Sequence, residues 1–305
     1  MSKVKNMIRY FEDKKYREGI NLSIFGNYMS DEQYLKRLYK HRIGRELDLD
    51  NPKTYTEKIQ WLKLYDHNPD YTIMQDKYLV RHLVAEKIGE NYLIPQYASW
   101  KSVEEIDFSI LPNEFVLKCN HDYNSVIICK DKNTFDFDAA KMKLDIALKR
   151  EFWKSERQWA YKDIPRRIIA EKYMKDGNED YLTDYKFFCF NGEPKIMYCS
   201  KDKAKNPTTD FFDMDYNQLQ IVSRDPNSPV PPEKPKQFEK MKELAHVLSD
   251  GYPHVRVDFY VINGMIYFGE LTMYHNSGLI PFKPQLWEEK MGEWIALPRG
   301  RLSEN

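Results

Sequence analysis

The chain has 305 residues, and its 47 basic and 47 acidic side chains give a formal net charge of zero. That balance gives no support to a nucleic-acid-binding or polybasic membrane protein. No apolar run reaches the roughly 18 residues of a membrane helix, and the start Met1-Ser2-Lys3-Val4-Lys5 leads into charged sequence, which predicts a cytoplasmic protein without a span or signal peptide.

Residues 1–50 show Tyr, Ile and Leu at helical spacing between charges, a predicted helical extension without evident chemistry. Thr54 with Glu57 three residues on is a capping box, and the helix it opens carries Ile59, Trp61, Leu62 and Leu64 toward a core. A second helix start follows at Asp76, with Lys77 and Arg81 on one face, a pair that alone reads as a solvated surface. Next come a strand over Glu114–Asn120, the polar loop His121-Asp122-Tyr123-Asn124-Ser125, and a strand over Val126–Lys130. Lys118 closes a buried apolar strand just before that loop, an arrangement suited to phosphate.

Residues 136–160 read as helical, and Arg167–Met174 as a strand carrying the acid Glu171. Asn191-Gly192 joins a hairpin over Asp184–Tyr198, Asp210–Asp213 continues the β region, and a Pro-rich connection over 225–235 leads to a helix near 236–250. Cys119, Cys129, Cys189 and Cys199 lack zinc-site spacing and read as small buried thiols rather than disulfides. The segment from Trp287 to Ile295 predicts a closing helix.

The most informative stretch is Val255–Thr272, two β-branched and aromatic strands joined at Asn263-Gly264. Arg256, Asp258 and Glu270 lie among apolar neighbours, where charge is costly unless paired or holding a metal. A two-residue loop sets Asp258 opposite Gly269 and turns Glu270 to the other face. A three-residue loop sets Arg256 opposite Glu270, with Asp258 and Thr272 on the same face, and a bulge near Gly269 has the same effect. Converging acids suit Mg²⁺ completed by phosphate and water; the bland alternative is a surface salt bridge to Arg256.

Taken in order, Asn51-Pro52-Lys53-Thr54 with Glu57-Lys58-Ile59-Gln60-Trp61, Asp76-Lys77, Phe115–Lys118, Asp184–Gly192, Arg256-Val257-Asp258 and Gly269–Thr272 resemble an ATP-grasp ligase. Within that superfamily the similarity is to the TupA-like branch, associated with teichuronopeptide and capsular polysaccharide biosynthesis, and it covers nearly everything from Asn51 to Pro298. The resemblance implies an α+β ATP-grasp fold of two α/β lobes gripping ATP. It implies an N-terminal helical extension (1–50), a helical pre-ATP-grasp region (51–112), a lid subdomain (113–175) and a C-terminal subdomain with the Mg-binding hairpin (176–305).

It also implies roles. Lys77 and Lys118 hold ATP phosphates, with Ser125 in the covering loop; Glu171, Lys172, Tyr173 and Met174 form the hinge that meets adenine and ribose. Asp258 and Glu270, with Thr272, bind Mg²⁺, while Lys186 and Arg256 act on the transferred phosphate and the acyl phosphate. Two departures stand out: Tyr123-Asn124 occupies a loop tip that is commonly Gly-rich, and Thr272 or Asn276 stands in for an asparagine after the metal-binding Glu. The implied activity is ATP-dependent carboxylate–amine ligation, with a carboxylate of a surface-polysaccharide precursor and an amine such as an amino acid as substrates. Peripheral contact with a lipid-linked precursor is part of that expectation. The rivals are a glycosyltransferase, for which Asp213-Met214-Asp215 is the nearest metal triplet, and a catalytically silent nucleotide-binding module.

Overall fold

The computed structural model describes residues 2–177, 182–201 and 207–298. The N-terminal region forms α1 (Ser2–Glu12), α2 (Lys14–Phe25) and α3 (Asp31–Ile43). A Ser30–Gln33 capping box opens α3, and Gly44 ends it in the left-handed conformation that glycine adopts without a Cβ clash. The expected box at Thr54 and Glu57 opens α4 (Tyr55–Tyr65). After α5 (Asp70–Gln75), Asp76 Oδ1 accepts from the Tyr78 and Leu79 amides at 2.8 and 3.3 Å, closing the turn into α6 (Val80–Ile88).

Two antiparallel sheets follow. The first contains β1 (Gln96–Trp100), β2 (Phe115–Cys119), β3 (Ile127–Cys129) and, after α7 (Phe137–Lys149), β4 (Ile168–Lys172), in the order β1-β4-β2-β3. It has its own apolar cluster, including Phe115, Leu117, Leu144 and Ile168. The sheet draws in β1 from the segment assigned by sequence to the helical region; five residues with polar Gln96 and Ser99 gave little strand signal. The helix expected over 136–160 stops at Lys149, because Arg150 is extended and Arg157 is left-handed; short 3₁₀ turns at Phe152–Ser155 and Trp159–Tyr161 complete the segment.

The second sheet contains β5 (Asp184–Phe190), β6 (Glu193–Lys201), β7 (Thr208–Asp213), β8 (Gln218–Leu219) and, after α8 (Phe238–Ser249), the hairpin β9 (His254–Ile262) and β10 (Met265–Thr272). Its order is β10-β9-β5-β6-β7-β8, and α8 packs on β5, β6 and β9. The hairpin corrects the three-residue-loop expectation: Met265 pairs with Ile262 across a two-residue turn. A bulge at Gly269 then shifts the register, so Glu270 lies opposite Asp258 and Thr272 opposite Arg256. Gly269 permits this close approach, since a Cβ there would lie 3.1 Å from the Asp258 carbonyl oxygen.

The closing helix α9 (Gln285–Trp294) locks against the start of α4. Its buried Glu288 accepts from the Thr56 amide and hydroxyl at 3.2 and 2.6 Å and from the Phe282 amide at 3.0 Å. A Cβ at Gly292 would sit 2.0 Å from the Lys53 carbonyl oxygen, a backbone atom that cannot step aside. Gly292→Ala is therefore expected to destabilise by about 3 kcal/mol despite its better helix propensity, read as a lower urea midpoint; an unchanged midpoint would show that the α4–α9 contact is loose. The four cysteines are free and buried. Among the described residues no helix is long and apolar enough to cross a membrane.

Candidate active site

One row of side chains crosses the second sheet. Glu270 on β10 neighbours Asp258 on β9, which neighbours Lys186 on β5, then Tyr198 on β6 and Phe211 on β7. Arg256, two residues before Asp258, projects from the same face. Its guanidinium clasps Asp258 through Nε and Nη2, each at 2.7 Å, and Nη2 also donates to Glu270 Oε1 at 2.6 Å. Lys186 donates to Asp258 Oδ2, and Asp184 lies 3.7 Å from the same ammonium. Arg256 Nη1 meets His275 Nδ1 at 2.6 Å. Burial and the adjacent guanidinium push the His275 pKa well down, so the neutral ring accepts from Arg256 through Nδ1, and the Asn276 side-chain amide lies 3.0 Å from the other ring nitrogen.

Asp258 and Glu270 are thus joined through one guanidinium nitrogen but face different surroundings. The Asp258 side chain is 2% exposed, whereas Glu270, at 39%, opens into a cleft. Burial raises the Glu270 pKa, but Arg256, Lys186 and Lys77 outweigh it and hold the carboxyl down to about 2. Thr272 donates to Glu270 Oε1 at 3.2 Å.

The cleft, of about 330 Å³, lies between the two sheets. Lys118 and Glu171 line it from the first sheet and form an ion pair of 2.6 Å, with Arg81 at 3.8 Å from Glu171. Lys77 lines it and donates to the Asp122 carbonyl oxygen at 2.6 Å; burial lowers its pKa against the attraction of Glu270. Lys172, Tyr173 and Met174 form the rim, and Tyr260, Phe268 and Leu271 lie among its walls. The structure therefore brings Lys77, Lys118, Glu171 and residues 172–174 to the same cleft as Glu270. Ser125 stands apart: its hydroxyl donates to Asp122 Oδ1 and accepts from the Cys119 amide at 2.7 Å, and it is not among the lining residues.

Magnesium fits these acids under one condition. Among the described residues no group of three or more His, Cys, Asp or Glu is placed to hold a metal. Asp258 and Glu270 would therefore supply a minority of the ligands, with phosphate oxygens and water completing the shell, which is how Mg²⁺ is commonly bound at nucleotide sites. Both acids already face Arg256, so a divalent ion alone would meet neutralised carboxylates.

Several site residues carried weak sequence signals or none. Tyr260 repeats the i, i+2 spacing of Arg256 and Asp258, a signal that was available. Arg81 was visible only as a surface charge, and Tyr161 lies on a 3₁₀ turn without pattern. The His275–Gly278 turn holds Asn276, Ser277 and Gly278 all at positive φ. It is fastened by Gln60, which donates to the Ser277 and Gly278 carbonyl oxygens at 2.9 and 2.8 Å, and by Lys63, which donates to Ser277 Oγ at 2.7 Å. In the triplet Asp213-Met214-Asp215, Asp213 uses its carboxylate on the turn after β7, accepting from the Asp215 and Asn217 amides.

The family model of the TupA-like ATP-grasp proteins matches residues 57–296. The chain belongs to the TupA-like ATP-grasp family. Solved structures similar to this ATP-grasp chain include D-alanine–D-alanine ligase from Bacillus anthracis complexed with ATP, at 15% identity and TM-score 0.37 over 66% of this chain and 54% of that one. N5-carboxyaminoimidazole synthetase from Staphylococcus aureus is similar at 13% identity and TM-score 0.36, over 66% and 44%. The ATP-grasp ligase PsnB complexed with minimal precursor is similar at 9% identity and TM-score 0.38, over 67% and 53%. The chain spans about half the length of these structures. No curated protein matches it.

Proposed function

We propose that this ATP-grasp protein is an ATP-dependent carboxylate–amine ligase whose acid substrate is a carboxylate on a cell-surface polysaccharide precursor and whose amine is an amino acid or similar donor. The observation that carries the reading is the continuous charged row Glu270–Asp258–Lys186, with Arg256, opening at one end into a cleft whose opposite wall bears Lys77 and Lys118. The polysaccharide assignment draws on the family resemblance in the sequence.

In this reading the cleft holds ATP, with the base against residues 171–174 and the phosphates between Lys77 and Lys118. Asp258 and Glu270, with Thr272 beside them, hold magnesium, which when bound offsets charge on the phosphates. An oxygen of the substrate carboxylate forms a bond to the γ-phosphorus, the bond to the β–γ bridging oxygen breaks, and ADP leaves. The amine nitrogen then attacks the acyl carbon, phosphate departs with the former carboxylate oxygen, and the amine loses a proton to form the amide. Lys186 and Arg256 stabilise negative charge where it develops, in a site from which a closed lid excludes water.

Thermal unfolding with ligands tests this directly. At nucleotide a hundredfold above Kd, ATP with Mg²⁺ is expected to stabilise the protein by about 2.7 kcal/mol, whereas Mg²⁺ alone gives no shift because Arg256 already neutralises the acids. Lys118→Ala should abolish the protection. Protection by Mg²⁺ alone, or undiminished protection in the variant, would remove the nucleotide assignment.

A further inference from the structure

A second cavity, of about 300 Å³, opens at the other end of the charged row. This places it at the small end of ligand pockets, which span about 300–1,000 Å³. Lys186, Tyr198, Ser200, Thr209 and Phe211 form its floor on the face of the sheet that carries Asp258. Its wall is the segment after β8, with Ser223, Arg224 and Asp225, and His275 and Asn276 close the side toward Arg256. The acyl-transfer groups therefore stand between two cavities, the nucleotide cleft on one side and this pocket on the other.

The pocket's chemistry is selective. Ser200, Thr209, Ser223 and Asn276 offer neutral hydrogen-bonding groups, and Ser223 Oγ is buried without a hydrogen-bond partner among the described residues. Such a group is costly unless a ligand satisfies it. Arg224 is an exposed guanidinium that forms no ion pair among the described residues, unlike Arg256. It is not on a loose loop. Val222 and Lys283 exchange two backbone hydrogen bonds, of 2.9 and 2.7 Å, on one side of it. On the other, the Thr209 amide donates to the Pro226 carbonyl oxygen at 2.9 Å, and Asn227 Nδ2 donates to the Thr209 and Ile221 carbonyl oxygens, both at 2.9 Å. A guanidinium on a tethered backbone, without an ion pair among the described residues and at the mouth of a hydroxyl-lined pocket, fits a second anionic group.

We propose that this pocket binds the acid substrate, and that the substrate is a hydroxylated carboxylic acid bearing a second anionic group, phosphate or carboxylate, held by Arg224. Its reactive carboxylate faces Lys186, its hydroxyls meet Ser200, Ser223, Asn276 and the carboxylate of Asp225, and the second charge lies outward against Arg224. This rests on the ligase reading above. The test is calorimetric binding to the full chain loaded with Mg²⁺ and a non-hydrolysable ATP analogue, with D-glucuronic acid 1-phosphate and D-glucuronate as probes. The doubly charged acid should bind at least tenfold more tightly, and Arg224→Ala should erase that preference while leaving analogue affinity unchanged. Equal affinities in the wild type, a preserved preference in Arg224→Ala, or binding of neither acid to analogue-loaded protein overturns the proposal. Failure of the analogue itself to bind overturns the ligase reading instead.

Discussion

Asp258→Asn and Glu270→Gln should each lower Mg²⁺-dependent ATP turnover by on the order of a thousandfold, yet differ sharply in stability. Asp258 is buried and is the shared counter-charge of Arg256 and Lys186. Its loss leaves two cations in a dry site with a neutral amide between them, a disruption that costs about 3 kcal/mol. Glu270 faces the cleft, and Arg256 keeps both bonds to Asp258 when it is neutralised; about 1 kcal/mol or less is expected. Urea midpoints measured beside ADP release separate the two effects. Wild-type turnover in both variants would discard the metal assignment, and equal destabilisation would discard the division between a buried anchor and a cleft-facing ligand.

That division was half legible in the sequence. Charges at 256, 258 and 270 within apolar strands announced a site, and Asn263-Gly264 announced the hairpin. Which acid faces the cleft depends on the bulge at Gly269, and a bulge has no one-letter signature beyond a permissive glycine. The Thr54 capping box was legible because it is local, its two partners only three positions apart. Its long-range counterpart was not: Glu288 reaches Thr56 from α9, and Gln60 reaches carbonyl groups of the 277–278 turn. Side-chain bonds to distant backbone follow no periodicity. The same holds for Ser223 and Arg224, which lie just before the Pro-rich connection over 225–235 and carry no pattern of their own; the bridge of Val222 to Lys283 is what places them beside β6 and β7.

Lys63 should give the molecule a pH-dependent stability that Lys63→Met lacks. The side chain is 2% exposed, and its ammonium donates to Gln60 Oε1, the Glu156 carbonyl oxygen and Ser277 Oγ at 3.0, 3.0 and 2.7 Å. Burial pushes its pKa down to about 7, against the attraction of Glu156, while an unfolded lysine titrates near about 10.4. Between those values the unfolded chain holds a proton that the folded chain has released, so stability rises with pH, by up to about 1.4 kcal/mol per unit. Below about pH 7 both states are protonated and the cost of the buried cation is constant. The stability difference between wild type and Lys63→Met should therefore be flat from about pH 6 to 7 and climb toward pH 9 in favour of the wild type, as read from urea midpoints. Gln60→Ala removes bonds to the same turn and one acceptor of Lys63 but keeps the titrating group, so it should retain the rise in stability from about pH 7 toward 9 that Lys63→Met lacks. Parallel profiles for wild type and Lys63→Met would mean that the three acceptors keep Lys63 charged, and that the turn carrying His275 is held by an ordinary ammonium.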